Sequence, residues 1–178
     1  MADPKLLGIS GSLRKGSTNS LLVREAARLF GRSDFTFGDI RMPLYDGDLE
    51  ETSGIPQEAL TLYTQIKEAD AIIISTPEYN SNISGVLKNA LDWVSREKPG
   101  PWEGKPVAVL SAAAGRSGGA RTQFSLRHCL TPFNPAILQG PEVMIAASHA
   151  AFDESGRLTD ARSLDGLTKL MSNLRAKL

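Results

Sequence analysis

The stretch GISGSLRKGSTN, residues 8–19, holds the first group of side chains that could do chemistry. Gly11 to Thr18 comes close to the triphosphate-binding pattern G-x-x-x-x-G-K-[ST], but Ser17 stands where that pattern has its lysine. Such a site needs the lysine on the β- and γ-phosphates and an acidic residue at the end of another strand to organise magnesium. The apolar run that could supply this acid, AIIIS, ends in Ser75. Both departures argue against nucleoside triphosphate hydrolysis.

Hydroxyl and amide groups remain in this loop, together with the guanidinium of Arg14. An amphipathic segment begins near Thr18, and Ser17 is expected to cap it as a helix. The N–H groups at a helix N-terminus carry a partial charge of about +0.5 and favour an anion by about 0.3–1 kcal/mol. The loop therefore predicts a site for one terminal phosphate held without metal; the alternative is that these residues only cap the helix and solvate the loop. The candidate ligands are Ser10, Ser12, Arg14, Ser17, Thr18, Asn19 and Ser20.

A second group of polar residues lies in TPEYNSNISGVLKNALDW, residues 76–93. Pro77 restricts the backbone that leaves the preceding apolar run, so the amides that follow can point into a crevice. Glu78, Tyr79 and Asn80 bring an acceptor, a flat ring and an amide to one place. This mixture favours a planar heterocycle with polar edges. The alternative is that Tyr79 belongs to the core and Asn80 caps a turn.

Short apolar runs alternate with segments of helical period along the whole chain. Strands are predicted at 5–9, 34–40, 71–75 and 106–112, with a fifth near 136–138 and 143–145 that breaks at Gly140–Pro141. Helices are predicted at 18–30, 56–68, 84–96, 119–130 and about 159–178, and residues 41–54 are predicted as a loop. Such alternation implies right-handed crossovers and a parallel sheet. We expect an α/β three-layer sandwich, a single domain over residues 1–178, with a five-stranded parallel sheet of order 2-1-3-4-5.

Three loops rich in small and polar residues, 10–19, 76–81 and 111–119, follow the carboxyl ends of predicted strands. In this strand order those ends lie side by side where the winding reverses, and ligands bind in that crevice. Taken singly, each loop could simply make a turn. The glycines at 8, 11 and 16 do not make the dinucleotide fingerprint G-x-G-x-x-G, so Asp39 after the second strand is interpreted as a loop residue.

Charge and cysteine content exclude several classes of partner. Twenty basic and twenty acidic residues cancel, which predicts neither nucleic acid nor an anionic membrane as a partner. The single cysteine, Cys129, has no internal disulfide partner, and no Cys/His spacing predicts a metal site. The N-terminal apolar run is too short for a signal peptide and no segment approaches a membrane span, so a cytoplasmic protein is expected.

With both motifs in view, the chain resembles the NADPH-dependent FMN reductase family, which is flavodoxin-like and includes soluble quinone, azo-dye and chromate reductases. The resemblance runs through GSLRKGSTN, PEYNSNISGVLKNALDW, SAAAGRSGGARTQFSLRHCL and FDESGRLTD, and so covers nearly the whole length. Two departures stand out. Ser84 occupies a position where the family often has proline, and Arg116 lies where a smaller residue or proline is common. The change at Arg116 could alter the mouth of the pocket and with it the choice of acceptor.

The resemblance implies a cofactor-binding role for each group of residues. By likeness, Ser10, Ser12, Arg14, Ser17, Asn19 and Ser20 would hold the FMN phosphate, and Leu13 and Thr18 belong to the same expected set. Residues Pro77, Glu78, Tyr79, Asn80 and Ser81 would line the ribityl chain and the flavin ring. Residues Ser111, Ala112, Gly115 and Gly118 would approach the other edge of the ring.

The implied activity is hydride transfer from NADPH or NADH to bound FMN and onward to a small acceptor, most plausibly a quinone. The cofactor supplies this reactivity, so no catalytic side chain is predicted, and His128 and His149 are interpreted as structural. Family members form dimers or tetramers, and the apolar loop RMPLYDGDLE, 41–50, suggests a subunit contact, although it could equally fold onto its own chain. The rival hypotheses are a flavodoxin-like electron carrier and a non-catalytic flavin-binding module.

Overall fold

The computed structural model describes residues 2–178 and contains one parallel β-sheet with helices on both faces. The strands are β1 (Lys5–Ser10), β2 (Asp34–Gly38), β3 (Ala71–Thr76), β4 (Pro106–Ala112), β5 (Ala136–Ile137) and β6 (Val143–Ile145). The helices are α1 (Thr18–Phe30), α2 (Gly47–Ser53), α3 (Gln57–Glu68), α4 (Gly85–Val94), α5 (Ala120–Leu130) and α6 (Ala161–Arg175). The order β2-β1-β3-β4-β5, with β6 also paired to β4, confirms the predicted flavodoxin-like topology.

Alternate residues of the strands point to opposite faces of the sheet and pack into two separate hydrophobic cores. Leu6 and Ile73 pack with α1 and α6, whereas Leu7, Ile72 and Ile74 pack with α3, α4 and α5. The central strand β3 is buried along its entire length, as a parallel strand covered on both faces must be. The predicted continuous β-branched run is therefore a strand between two helical layers.

Helix α1 lies very close to the sheet because β1 contains a glycine. A Cβ atom on Gly8 would lie 2.4 Å from Val23 Cγ1 and 2.8 Å from Phe35 Cε2, distances that real side chains do not reach. A larger residue at position 8 would push α1 away from β1. Since Thr18 begins α1 just beyond the end of β1, this packing also sets where the N-terminus of the helix lies relative to the sheet edge.

The structure differs from the expectation between residues 41 and 54. Residues 41–54 were predicted as a loop, but α2 forms within them, capped by Asp46, whose side chain accepts a hydrogen bond from Asp48 N at 3.0 Å. The sequence GDLEETS gives no helical apolar stripe, and α2 has no buried residue, so periodicity could not reveal it. The fifth strand is split as predicted: β5 pairs with the start of β4 and β6 with its end. Over residues 2–178, no helix has both the length and the apolar composition of a bilayer span.

Candidate cofactor site

A cleft of about 560 Å³ lies at the carboxyl edge of the sheet. The loops that follow β1, β3 and β4 form three of its sides, and residues between Ser148 and Asp153 form a fourth. This volume falls within the range of roughly 300–1,000 Å³ typical of small-molecule sites. The three polar loops of the sequence therefore do converge on one cavity.

The N-terminus of α1 opens into the cleft. Ser17 caps this helix as predicted, because its side chain accepts a hydrogen bond from Ser20 N at 3.3 Å. The backbone N–H groups of Thr18 and Asn19 lie in the first turn, where no intrahelical acceptor exists for them. Arg14 also lines the cleft, and its exposed guanidinium makes no hydrogen bond or ion pair within residues 2–178. Free amides and a free cation thus face the same cavity, which suits an anion.

Asn19 holds the edge of the sheet together through its side chain. Its Nδ2 donates to Ala112 O at 2.9 Å, and its Oδ1 accepts from Ala112 N at 3.0 Å and from Ser75 Oγ at 2.8 Å. All three partner groups are buried, and the residue itself is 3% exposed. Both bonds to Oδ1 and one of the two Nδ2 hydrogens are used by protein partners, so Asn19 can offer a ligand its second Nδ2 hydrogen and its backbone N–H.

The remaining hydroxyls of the first loop have internal partners. Ser20 Oγ donates to Ser10 Oγ at 3.0 Å, and Ser10 is buried behind the wall of the cleft rather than along it. Ser12 lines the cleft, while Leu13 packs against the core on the α3, α4 and α5 side. Thr18 Oγ1 donates to Ser148 Oγ at 3.2 Å and joins the loop to the opposite wall. Hydrogen bonds of these hydroxyl groups to other protein groups therefore hold the loop in place without a ligand.

Residues 79–82 form a tight turn at the second side of the cleft. Tyr79 and Asn82 exchange backbone hydrogen bonds of 3.1 and 3.0 Å, and Asn80 and Ser81 between them have φ of 50° and 64°. Positive φ at both central residues defines the hairpin turn of type I′. Tyr79 is 51% exposed and lines the cleft, so the alternative that placed it in the core is wrong. Asn80 and Ser81 lie at the tip of the turn, outside the cleft wall.

Glu78 lines the cleft but is anchored to α5. Its Oε2 accepts from the backbone N of Arg121 at 3.1 Å, in the first turn of a helix whose N-cap, Gly119, provides no side-chain acceptor. The Arg121 guanidinium lies 3.8 Å from Glu78 Oε1 and donates to Ser81 Oγ at 3.3 Å. A carboxylate at a helix N-terminus is electrostatically favourable. This contact fixes the turn after β3 relative to the loop after β4.

The loop after β4 contributes mostly backbone to the cleft. Ala112 and its neighbours Ala113 and Ala114 line it, whereas Ser111 is fully buried and donates to Gly118 O at 2.7 Å. Gly118 has φ of 58°, and a Cβ there would lie 2.6 Å from the Met144 carbonyl carbon, so it packs against β6. Gly115 is exposed and lies outside the cleft wall.

The two departures from the family pattern lie in different environments. Ser84 is buried, caps α4 through a bond from Leu87 N at 3.3 Å, and donates to Gly11 O at 2.5 Å. Proline could not make this link, so the serine joins the first loop to the start of α4 in this chain. Arg116 is exposed on the loop after β4 and makes no polar contact within residues 2–178.

The fourth side of the cleft was missed by the sequence interpretation. Ser148, His149, Phe152 and Asp153 line it, held by a short 3₁₀ turn and by the bridge between Phe152 and Leu158. His149 had been interpreted as structural, but it is exposed at the cleft. The segment carries no strand or helix periodicity, and its only signal was the similarity of FDESGRLTD to the family. Gly16 and Leu21 also line the cleft without having been predicted.

The predicted cofactor-binding residues thus divide into two sets. Those that line the cleft are Ser12, Arg14, Ser17, Thr18, Asn19, Pro77, Glu78, Tyr79 and Ala112. Those that lie behind the wall or beyond its rim are Ser10, Leu13, Ser20, Asn80, Ser81, Ser111, Gly115 and Gly118. Within residues 2–178 no group of three or more metal-ligating side chains occurs.

Comparison with known proteins gives one consistent result. The sequence pattern of a family described as NADPH-dependent FMN reductase matches residues 4–150. An NAD(P)H-dependent FMN reductase of Pseudomonas aeruginosa is 44% identical over 176 residues, covering 97% of this chain and 94% of its own length. A quinone reductase of Escherichia coli is 37% identical over 170 residues, covering 92% and 89%. The structure of FerB, a flavoenzyme NAD(P)H:acceptor oxidoreductase from Paracoccus denitrificans, has a TM-score of 0.86 at 32% identity, covering 97% and 96%.

Proposed function

The chain belongs to the NADPH-dependent FMN reductase family. We propose that it binds FMN in the cleft and reduces small electron acceptors, chiefly quinones, with NAD(P)H as the electron donor. The two relatives and the structure compared above carry names for this chemistry. Bound FMN supplies the reactivity, because its ring accepts hydride from a nicotinamide and passes electrons to an acceptor. Azo compounds and chromate are further candidate acceptors.

One observation carries this proposal: the free end of α1 faces a cavity that also contains the turn after β3. The first-turn amides of Thr18 and Asn19, the hydroxyl of Ser17 and the guanidinium of Arg14 supply donors for a phosphomonoester. The Glu78–Tyr79 backbone and the Ala112–Ala114 backbone flank the rest of the cavity. A ligand with one terminal phosphate and a flat polar-edged ring, as in FMN, matches this arrangement.

Three polar side chains position the walls of the cleft. Asn19 fixes the distance between β3, β4 and the start of α1, and Glu78 fixes the turn after β3 against α5. Ser84 holds the carbonyl of Gly11. Cys129 is half-buried on α5, and burial raises the pKa of its thiol, so it is a poor nucleophile. These roles suit a reaction in which the cofactor holds the reacting atoms.

An electron carrier with the same fold is the rival function. Carriers that dock on protein partners benefit from strong charge complementarity, whereas this chain has equal numbers of acidic and basic residues. Anaerobic mixing of the FMN-loaded protein with NADPH separates the two functions. We expect rapid two-electron bleaching of the yellow colour, followed by reoxidation on addition of a quinone. No bleaching unless a separate reductase is added would establish the carrier instead.

Replacing Arg14 by alanine should weaken FMN binding far more than it affects folding. Loss of an ionic hydrogen bond to a phosphate costs about 1.5–3 kcal/mol, so the Kd for FMN should rise by about 10- to 100-fold. Arg14 is exposed and unpartnered within residues 2–178, so the free energy of unfolding of the apoprotein should change by less than about 0.5 kcal/mol. Quenching of flavin fluorescence measures the Kd.

Lys15→Ala is the matched control, because it removes the same charge from an exposed neighbour that does not line the cleft. Its Kd for FMN should stay within about threefold of the original value, which is about 0.7 kcal/mol. If both substitutions raised the Kd for FMN equally, Arg14 would act only through its positive charge and not through a direct contact with the phosphate.

The proposal extends to assembly and location: a single domain that forms a cytoplasmic homodimer or homotetramer. The loop at 41–46 is tied to its own α4, since Trp93 Nε1 and Asn89 Nδ2 both donate to Pro43 O at 2.9 Å. Leu44 in the same loop is nevertheless 78% exposed. Large exposed apolar side chains on a rigid support suit a subunit contact. Light scattering of the wild type and of Leu44→Ser tests whether this loop contributes to an oligomer.

A further inference from the structure

The fourth wall of the cleft, residues 148–153, carries a histidine to which the proposed function gives no role. His149 lines the cleft and is exposed, and its imidazole makes no hydrogen bond or ion pair within residues 2–178. A buried histidine that only supported the fold would have its ring nitrogens bonded to protein groups. Both ring nitrogens of His149 are therefore available to a ligand in the cleft.

Two hydrogen bonds of the preceding residue fix the place of His149. Ser148 N donates to Ala113 O at 3.1 Å, in the loop after β4, and Ser148 Oγ accepts from Thr18 Oγ1 at 3.2 Å, at the first residue of α1. Ser148 itself is buried. His149 thus directly follows a residue that is held against the helix turn whose free amides face the cleft.

The chain reaches this position through a strained residue. Ala147 has φ of 43° and ψ of 43°, the left-handed conformation that residues with a Cβ atom seldom adopt. Such strain persists only where the surrounding contacts maintain it, and it is concentrated at ligand sites. The two hydrogen bonds of Ser148 are contacts of this kind. The strained turn therefore belongs to the structure that holds His149 on the cleft wall.

The two carboxylates of the cleft wall are already held by protein groups. Glu78 lies 3.8 Å from the guanidinium of Arg121. Asp153 Oδ1 accepts from Ser155 N at 2.8 Å and from Arg157 N at 2.9 Å. The exposed charges nearest in sequence to the lining residues, all outside the cleft wall, are Lys15, Arg116 and Glu154.

The charges on the wall do not fully balance a phosphate. A phosphomonoester carries about −1.5 to −2 at pH 7. Arg14 supplies one positive charge, and the N-terminus of α1 supplies about half of one. Asp153 lies on the same wall and adds negative charge. A phosphate at this place therefore has oxygens left for a further donor, and His149 is the unpartnered donor next to Thr18.

We propose that His149 is a ligand of the FMN phosphate and donates an imidazole N–H to it from the fourth wall of the cleft. This inference rests on the proposed function, which places the phosphate at the N-terminus of α1. An N–H bond to a charged oxygen is stronger than a bond between neutral groups, and the imidazole ring can supply one whether or not it is protonated. The loop after β1 and the fourth wall then hold the phosphate from two sides.

Flavin affinities with and without the phosphate test this role. In His149→Leu the Kd for FMN should rise about tenfold, equivalent to about 1.4 kcal/mol, while the Kd for riboflavin should stay within about twofold. His149→Gln keeps an N–H donor, so its Kd for FMN should stay within about threefold of the wild-type value. Equal losses for FMN and riboflavin in His149→Leu would overturn the proposal, because His149 would then shape the wall without binding the phosphate.

His128→Leu is the matched control. His128 is an exposed histidine on α5 that does not line the cleft, so this substitution should leave both Kd values unchanged. If the wild type prefers FMN to riboflavin and His149→Leu keeps that preference in full, the role of His149 falls while the FMN site stands.

Inorganic phosphate gives a readout that needs no flavin. In NMR spectra of the apoprotein at constant pH, the imidazole signals of His149, assigned by their loss in His149→Gln, should move on addition of phosphate. Chloride at the same ionic strength should leave them in place. No movement with either phosphate or FMN would overturn the contact. If the wild type binds neither flavin, the proposed function fails, and a shift specific to phosphate would still support His149 as a phosphate ligand.

Discussion

Replacing Asn19 by alanine should lower the free energy of unfolding by about 2–4 kcal/mol. The substitution removes one amide and leaves three buried groups without their partner: Ala112 N, Ala112 O and the hydroxyl of Ser75. Each unsatisfied buried group costs about 1–3 kcal/mol, and partial relaxation or entry of water keeps the total below their sum. Urea unfolding followed by circular dichroism measures the change.

The same substitution should weaken FMN binding as well, because Asn19 ties the start of α1 to the ends of β3 and β4. Asn173→Ala is the control, since Asn173 is an exposed helical asparagine with one bond of 3.2 Å, to Gly140 O. It should cost less than about 0.5 kcal/mol. If Asn19→Ala were as mild as the control, the amide would not be holding the sheet edge.

The second large effect concerns the buried Glu25. The oxygens of Glu25 accept hydrogen bonds from Arg28 Nε and NH2 at 2.8 Å and from Arg157 NH1 at 3.0 Å. Replacing both arginines by methionine keeps much of their packing but leaves the Glu25 carboxylate, which is 1% exposed, without a cation. Stranding a buried charge costs about 3–5 kcal/mol of unfolding free energy. The converse change, Glu25→Gln, should cost only about 1 kcal/mol, because the half-exposed arginines can turn to water. Adding Glu25→Met to the double variant should restore much of its stability; no recovery would show that the loss came from packing.

The pH dependence of stability gives a separate check on the same network. Burial alone would raise the pKa of the Glu25 carboxyl, but the hydrogen bonds and charges of Arg28 and Arg157 outweigh it and lower the pKa below its ordinary 4.5. The unfolded chain therefore takes up this proton first as the pH falls. The stabilisation is fully present above about pH 4.5 and is lost as the pH drops toward the folded-state pKa. In the variant that lacks both arginines, burial raises the pKa of the Glu25 carboxyl and nothing opposes it, so protonation of Glu25 at acidic pH relieves the cost of the buried charge. The difference in the free energy of unfolding between the wild type and this variant should therefore become smaller as the pH falls.

Periodicity and loop composition were enough to predict the fold and the position of the cleft. The β-branched run AIIIS and the stripe of α1 gave the central strand and its helix, and the three polar loops gave the ligand edge. What could not be predicted depends on contacts between distant residues. Sequence cannot show that the side-chain amide of Asn19 pairs with Ala112, 93 positions away. The hydrogen bond that anchors Glu78 to the backbone of Arg121 likewise appears only in three dimensions.

Elements without an apolar pattern were the ones missed. Helix α2 rests on its Asp46 cap and buries no side chain, so no stripe marks it. The wall formed by Ser148, His149, Phe152 and Asp153 is positioned by a 3₁₀ turn and a single bridge, neither of which has a periodic signature.

The most direct measurement compares the affinity of the apoprotein for FMN with its affinity for riboflavin, which is the same molecule without the phosphate. If the phosphate binds at the N-terminus of α1, FMN should bind at least about 100-fold tighter, equivalent to about 2.7 kcal/mol, and Arg14→Ala should shrink that ratio. Equal Kd values for the two flavins, or no quenching by either, would contradict the assignment of this cleft as an FMN site.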